Sequence, residues 1–395
     1  MRFLHTSDWH LGRRFHREDL IDAQSKILDH LCATARTERI DALLVAGDIY
    51  DRAVPSLDAI RLFSRALPQL ADLGIPTIMI SGNHDSAHRL GVGARLLSKA
   101  GVHVRTDPAE VDAPVLLEDE QGPVAVYGVP YLEPAMARTE LEAEAASHQA
   151  VLTSALDRIR ADLATRPAGT RSVVLAHAFI TSATGTDGAT VSKSERDISV
   201  GGVAHASADV FDGIDYVALG HLHSPQRVTD RIHYSGSPLA YSFSETSHTK
   251  SFTLVDLPPT AVPTLTRISL PARLRLPLAR LTGRLDDLLA DPAHEHLTQA
   301  WLHVTLTDSA RPYEAMARLK QRFRKTLHLE HKPTTIPAQA TSRTYRERLR
   351  DRDDLDVARD FITVVSGQAP TKEEADLLNQ AVEHSRIRSQ EKETA

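Results

Sequence analysis

Nine polar residues at the ends of apolar runs carry the first chemical signal in this 395-residue chain. Asp8 and His10 follow "RFLHTS", and Asp48 closes "DALLVAGD". Asn83, His84 and Asp85 follow "PTIMISG", His177 ends "RSVVLAH", and His221 and His223 end "DYVALGHLH". Taken singly, each has a plain structural reading. "GNHD" reads as a turn, since Gly82 and Asn83 tolerate positive φ and Asn and Asp bond their own backbone. His177 is one of twenty histidines. The order "DxH … GD … GNHD … H … GHxH" is far more specific than its parts. It supplies the donors of a two-metal phosphoryl-transfer site: a carboxylate able to bridge two ions, with imidazoles and an amide oxygen to complete each set. Mixed carboxylate and imidazole ligation suits Mn, Fe or Zn better than Mg. No thiolate takes part, which argues against a structural zinc site.

Such a site requires elements that bring distant residues together. Short apolar strands alternate with helical stretches through the first ~220 residues. The strands read as 2–8, 41–48, 75–85, "VHVRT", "VAVYGVP", 171–179 and 215–223, with "RIHYSGSPLAYSF" and "SFTLVDL" closing the region. Helices are expected over "LIDAQSKILDHLCATART", after Pro55, near 88–99, and along 134–165, where Leu152, Leu156, Ile159 and Leu163 form a stripe. The candidate ligands sit where the core strands end, the position at which sites form in open α/β sheets.

Bulk properties narrow the setting. The length predicts more than one domain, and 42% hydrophobic with 25% charged residues is a globular composition. Cys32 is the sole cysteine, so no disulfide framework exists and a reducing compartment is expected. "MRFLHTSDWH" reaches Asp8 and His10 too soon for a signal-peptide apolar region, and no apolar run approaches a membrane span. These features predict a cytoplasmic protein. The net charge of −6 argues against a free-standing nucleic-acid binder. Residues 311–350, however, carry eleven Lys or Arg against Glu314, Glu330 and Glu347, a local balance of +8. That stretch reads either as solvated helix faces or as a phosphate-tracking surface.

"LPPTAVPTL" reads as a linker to a second unit with the pattern strand, helix, strand, helix, strand between about 270 and 340. Two helices are expected in the last ~50 residues. One is "DDLDVARDFITVV", with Leu355, Ala358, Ile362 and Val365 as its stripe. The other begins at "PTKEEADLLNQAV", where Thr371 and Glu374 have capping-box spacing and Ala375, Leu378 and Val382 form the stripe. They serve packing or a partner dock. "GRRFHR" places Arg13, Arg14 and Arg17 just after the first candidate ligands, as a solvated loop or a guide for a DNA backbone.

The motif order resembles the calcineurin-like metallophosphoesterases. "HTSDWHLGRRF", "AGDIYDRAVPS", "ISGNHDSAHRL", "SERDISVGG", "DYVALGHLHSPQ" and "YSGSPLAYSF" are similar to SbcD-type nuclease subunits, with the specific motifs confined to residues 1–245. Asp51 stands where archaeal and eukaryotic relatives usually have His, as in the bacterial branch. The resemblance implies an α/β fold: a calcineurin-like β-sandwich flanked by helices, then a small α+β cap and C-terminal helices. The corresponding domains are 1–260 for the nuclease, 270–340 for the cap, and 345–395 for helices docking on an SMC-like ATPase of the SbcC type. It further implies that Asp8, His10, Asp48 and His223 hold one manganese, and that Asp48, Asn83, His177 and His221 hold the other. His84 would act on the scissile phosphate, supported by Asp85.

The implied activity is 3′-5′ double-strand exonuclease and hairpin endonuclease action on DNA, in repair, recombination and replication, as a homodimer within a heterotetramer. No Walker motif occurs here, so ATP dependence would come from the partner. A phosphomonoesterase or cyclic-nucleotide phosphodiesterase on the same fold is the alternative; a scaffold without metals is disfavoured because every ligand position is filled. For the dimer face, Leu57, Ile60, Leu90 and Leu97 are candidates, with core packing the competing reading.

Overall fold

The computed structural model describes residues 1–181, 192, 195, 205–334, 353–366 and 369–393. Two compact units divide the chain, Met1–Leu276 and Pro277–Ala395. The "SERDISVGG" stretch apart from Glu195, and positions 335–350 of the basic segment, lie outside the described residues.

The first unit is built on two six-stranded sheets. In one, Arg2–Thr6, Ala42–Ala46, Thr77–Ile80 and Val102–Arg105 run parallel, and Ser251–Asp256 and Thr264–Ser269 add antiparallel strands beside 2–6. In the other, Gly122–Val129, Arg171–His177, Tyr216–Gly220 and Ile232–Tyr234 run parallel, flanked by Val115–Asp119 and Gln226–Arg227. Runs such as "ALLVA" are buried on both faces, as interior parallel strands require. One set of side chains, among them Phe3, Leu44, Ile78, Val126, Val173, Leu175 and Ala218, packs into a single cluster spanning both sheets. The opposite face of the second sheet, including Tyr127, Val174 and Leu219, packs with Val151, Ala155, Leu156 and Ile159 of the helix His148–Ala164. Helices Ile21–Thr37 and Leu57–Ala71 connect the first parallel strands; Ser56 Oγ caps the second by accepting from Ala59 N. The unit is therefore a β-sandwich flanked by helices.

Three expectations change. The helix of 134–165 is two, Pro134–Glu140 and His148–Ala164, because Glu142 takes a left-handed φ of 56° and Ser147 caps a fresh start. The helix near 88–99 is likewise two short turns, Ala87–Leu90 and Ala94–Ser98, broken where Gly93 adopts φ 77°. The proline stretch 257–265 is no linker. It turns the hairpin between 251–256 and 264–269, inside the first sheet. Of the four candidate surface residues, Leu57 and Ile60 are exposed, Leu97 is half-buried and Leu90 is buried.

The second unit holds three parallel strands, Leu278–Gly283, Trp301–Leu306 and Thr326–His331. Helices Leu285–Ala290 and Ala315–Arg322 pack on Leu302, Val304 and Leu306. Helices Asp354–Ser366 and Lys372–Glu393 follow. Thr371 Oγ1 accepts from Glu374 N at 3.3 Å and Glu374 Oε2 accepts from Thr371 N at 2.8 Å, closing the expected capping box.

Arg171 ties the two sheets together at the start of its strand. Its side chain is buried, with Nη1 donating to Leu257 O at 3.1 Å and Nη2 to Gly122 O at 2.9 Å and to Asp119. Arg171→Met removes these hydrogen bonds, although Leu257 O and Asp119 keep the Met1 ammonium as a donor, and is expected to lower stability by about 1–3 kcal/mol. The urea unfolding midpoint, followed by tryptophan fluorescence with metal absent, measures the change; no change would mean that the tie is dispensable.

Candidate metal centre

The carboxyl ends of five parallel strands, three from one sheet and two from the other, deliver all the candidate residues. Strand 2–6 leads to Asp8 and His10, 42–46 to Asp48, and 77–80 to Asn83 and His84. In the second sheet 171–177 ends on His177, and 216–220 leads to His221 and His223. The first two loops lie side by side, tied by Asp8 N to Gly47 O at 3.0 Å, His10 N to Asp48 O at 2.9 Å and Leu11 N to Ile49 O at 2.9 Å. Four site residues have left-handed backbones: Asp8 at φ 53°, His10 at 44°, Asp48 at 51° and His221 at 104°. Non-glycine residues hold such conformations at a cost on the order of 1–3 kcal/mol each, and here they turn the side chains back over the strand ends. Gly82 permits a close approach. A Cβ there would collide with the Asp48 carboxylate and amide.

Asp48 lies at the middle. Its Oδ2 is 3.5 Å from His10 Nε2 on one side and 3.6 Å from His177 Nε2 on the other. On the first side, His10 Nε2 lies 3.1 Å from His223 Nε2, and Asp8, His10 and His223 present ligand atoms within 4.8 Å of one another. On the second, His177 Nε2 is 2.9 Å and His221 Nδ1 3.3 Å from Asn83 Oδ1. Asp8, Asp48 and His177 form a further mutually close group. Asp8, His10, Asp48, His177, His221 and His223 are all buried, with Asn83 half-buried.

The electrostatics call for cations. Burial, then the Asp48 charge, drives the Asp8 carboxyl well above the usual range. Burial holds His10, His177, His221 and His223 below the usual imidazole value, so they are neutral donors at neutral pH. Tautomers sharpen the point. His177 Nδ1 donates to the Ala46 carbonyl at 2.9 Å, so its Nε2 carries a lone pair, and that lone pair faces the Asn83 carbonyl oxygen. An acceptor pointing at an acceptor 2.9 Å away is a contact that a cation resolves. The donor set therefore fits two divalent metals.

Two residues take parts other than those expected from their neighbours. His84 keeps a partly exposed imidazole at the rim, with Nε2 4.0 Å from Asp48 Oδ2. The contact that orients it comes from Asp51, whose backbone carbonyl accepts from His84 Nδ1 at 2.8 Å. Asp85 is not that support. Its carboxylate accepts from Ile49 N at 3.0 Å, Tyr50 N at 2.8 Å and Gly82 N at 2.9 Å, clamping the 47–51 and 82–85 loops together. Burial and the nearby Asp48 push its carboxyl up to about 7 despite those amides.

Residues 1–225 match the family model described as calcineurin-like phosphoesterase. This chain belongs to the calcineurin-like phosphoesterases. Residues 275–366 match a second model, SbcD_C, described as the type 5 capsule protein repressor C-terminal domain. Among solved structures, a protein of Thermus thermophilus is similar at 14% identity, covering 67% of this chain and 98% of its own, with a TM-score of 0.38. A dimetal phosphatase from Danio rerio is similar at 14% identity, over 68% of this chain and 96% of its own, with a TM-score of 0.38.

Reading the sequence missed several residues that surround the centre of this phosphoesterase. Glu195 accepts from His223 N at 2.6 Å and from Ser192 N at 2.8 Å, and burial pushes its carboxyl up to about 7. Ser7 Oγ donates to Asp8 Oδ2 at 2.5 Å. Tyr241, also missed, packs its ring 5.2 Å beneath the guanidinium of Arg13, a residue the sequence did single out, which donates to Asp51 Oδ1 at 3.1 Å. Glu245 and Lys250 form a buried pair at 2.6 Å. The only available signal was a place within the quoted motifs and, for Glu245 and Lys250, there was none.

A proton on Asp8 competes with a cation, so metal binding should strengthen as pH rises through that group's elevated range. The expected outcome is a Tm increase on adding Mn²⁺ that is larger at pH 8 than at pH 5.5; at 100-fold excess over Kd it corresponds to about 2.7 kcal/mol. Thermal melts at both pH values test this, and a shift independent of pH would contradict it.

Proposed function

We propose that this phosphoesterase is a metal-dependent DNA nuclease of the SbcD type, acting on duplex ends and hairpins alongside an SMC-like ATPase. The observation that carries the phosphodiester chemistry is Asp48 Oδ2 lying 3.5 Å from His10 and 3.6 Å from His177, between two ligand groups. Asp8, His10, Asp48 and His223 would hold one divalent metal, and Asp48, Asn83, His177 and His221 the other. When bound, the pair supplies an activated water and neutralises charge on the phosphoryl oxygens. Manganese suits the mixed ligand set.

The chain's own groups then divide the work. His84, anchored through Nδ1, presents Nε2 at the partly exposed rim of the centre. There the imidazolium form, protonated at Nε2 as well as Nδ1, hydrogen-bonds a phosphoryl oxygen or passes its Nε2 proton to the leaving oxygen. Arg13 is held at a fixed place between Asp51 and Tyr241. Arg14–Phe15 and Glu18–Asp19 form a small hairpin, with Phe15 buried against Phe243 at 4.9 Å between ring centroids. That anchor leaves Arg14 and Arg17 exposed, as residues that track a DNA backbone must be.

The nuclease reading, rather than a small-molecule esterase, draws support from the second unit. A small substrate needs no such addition, and residues 275–366 match the SbcD_C model. In this reading residues 277–334 serve as the cap and the helices 354–366 and 372–393 as the dock for the ATPase, with the protein dimeric and cytoplasmic. No described helix is long and apolar enough to cross a membrane.

Cleavage of an end-labelled DNA hairpin with Mn²⁺, beside metal analysis of the same samples, tests the proposal. Wild type should cut. His84→Ala should keep its metal and lose activity by about 10²–10⁴-fold, while Asp48→Ala should lose metal. Intact DNA with and without the ATPase, alongside hydrolysis of a small phosphodiester, would replace the reading with a small-molecule phosphodiesterase.

A further inference from the structure

Three histidines of the centre are oriented through their Nδ1 atoms, and not by the same kind of partner. His177 and His84 each use a neutral backbone carbonyl, of Ala46 at 2.9 Å and Asp51 at 2.8 Å. His223 faces a carboxylate, Glu245 Oε1 at 3.2 Å. Glu245 is almost entirely buried, which would be costly for an isolated charge. It is compensated by Lys250 Nζ at 2.6 Å, itself buried, and by Ser192 Oγ at 2.8 Å and Tyr241 N at 3.2 Å. The same ammonium donates to the His223 backbone carbonyl at 3.0 Å and to Ser237 Oγ at 2.8 Å. Lys250 is fixed in turn by its own carbonyl, which accepts from Leu270 N at 3.0 Å, and it directly precedes the strand 251–256.

Resting on the two-metal reading, we infer that Glu245 and Lys250 form a positioning pair that holds His223 with Nε2 toward the Asp8–His10 side. The pair thereby strengthens one metal position and not the other. A carboxylate behind an imidazole fixes its tautomer and raises its basicity as a ligand. The lysine makes the buried assembly neutral, so the effect acts through His223 and not as a long-range field on both metals. His221 and His177 on the second side have no part in these contacts.

The full chain bears the test, a Mn²⁺ titration in which unbound ion is read by electron paramagnetic resonance. Wild type should take up two equivalents. Glu245→Leu with Lys250→Met removes both charges together, a replacement that buried pairs tolerate, and melting of the metal-free protein checks that it folds. One equivalent should then weaken by about 10–100-fold while the other keeps its wild-type affinity. Equal weakening of both, or none, overturns the inference, because general damage to the centre would not spare one position. If that variant does not fold, Glu245→Gln takes its place, with a several-fold loss expected at one equivalent and an unchanged isotherm overturning the inference. A wild-type protein that binds fewer than two equivalents overturns the two-metal reading itself before any variant is compared.

Discussion

Two buried carboxylates, Asp8 and Asp48, have to share one small space with neutral imidazoles, and among the described residues no lysine or arginine forms an ion pair with either. That arrangement is unfavourable by itself, and much of the first unit serves to impose it. Left-handed backbones at Asp8, His10, Asp48 and His221 aim the ligands inward. The loops that carry them are tied to one another by backbone hydrogen bonds and by the Asp85 clamp. Strain of this kind persists only where the surroundings over-determine it. Here the surroundings are two sheets whose parallel strands end at the same rim.

The sandwich explains why the ligands come from such scattered positions. A single open sheet offers its carboxyl ends along a line. Packing a second sheet beside it brings His177, His221 and His223 within reach of Asp48 and His10. Arg171 ties the sheets at the far end of the strand that His177 closes, so one strand carries both a fastening and a ligand. Around the centre the supporting contacts differ in kind: backbone carbonyls behind His177 and His84, a buried ion pair behind His223.

Much of this was legible in the sequence, for identifiable reasons. Buried parallel strands are short apolar runs with abrupt polar ends, so both the strands and the residues at their ends stood out. The order of Asp, His and Asn types then specified the chemistry. What the sequence concealed depends on contacts across the fold. Nothing in "GNHD" says that Asp85 turns to three backbone amides while His84 leans on the Asp51 carbonyl. Glu245 and Lys250 belong to no spacing rule, since they meet His223 only through tertiary packing. The proline stretch 257–265 misled because a hairpin turn and an interdomain linker use the same residues, and only the pairing of 251–256 with 264–269 separates them. Glu142 and Gly93 broke helices whose apolar spacing ran on undisturbed.

The central place of strand 2–6 bears on how the protein is made. Its neighbours are Ala42–Ala46 on one side and Ser251–Asp256 on the other. During synthesis the strand that leads to Asp8 and His10 leaves the ribosome well before the segment around 251, so one of its edges stays unpaired until that segment follows. His223, and the lysine behind it, also arrive late. A metal centre assembled from both ends of a domain cannot form on a half-made chain, so translation that stops early should yield the first motifs without a complete ligand set.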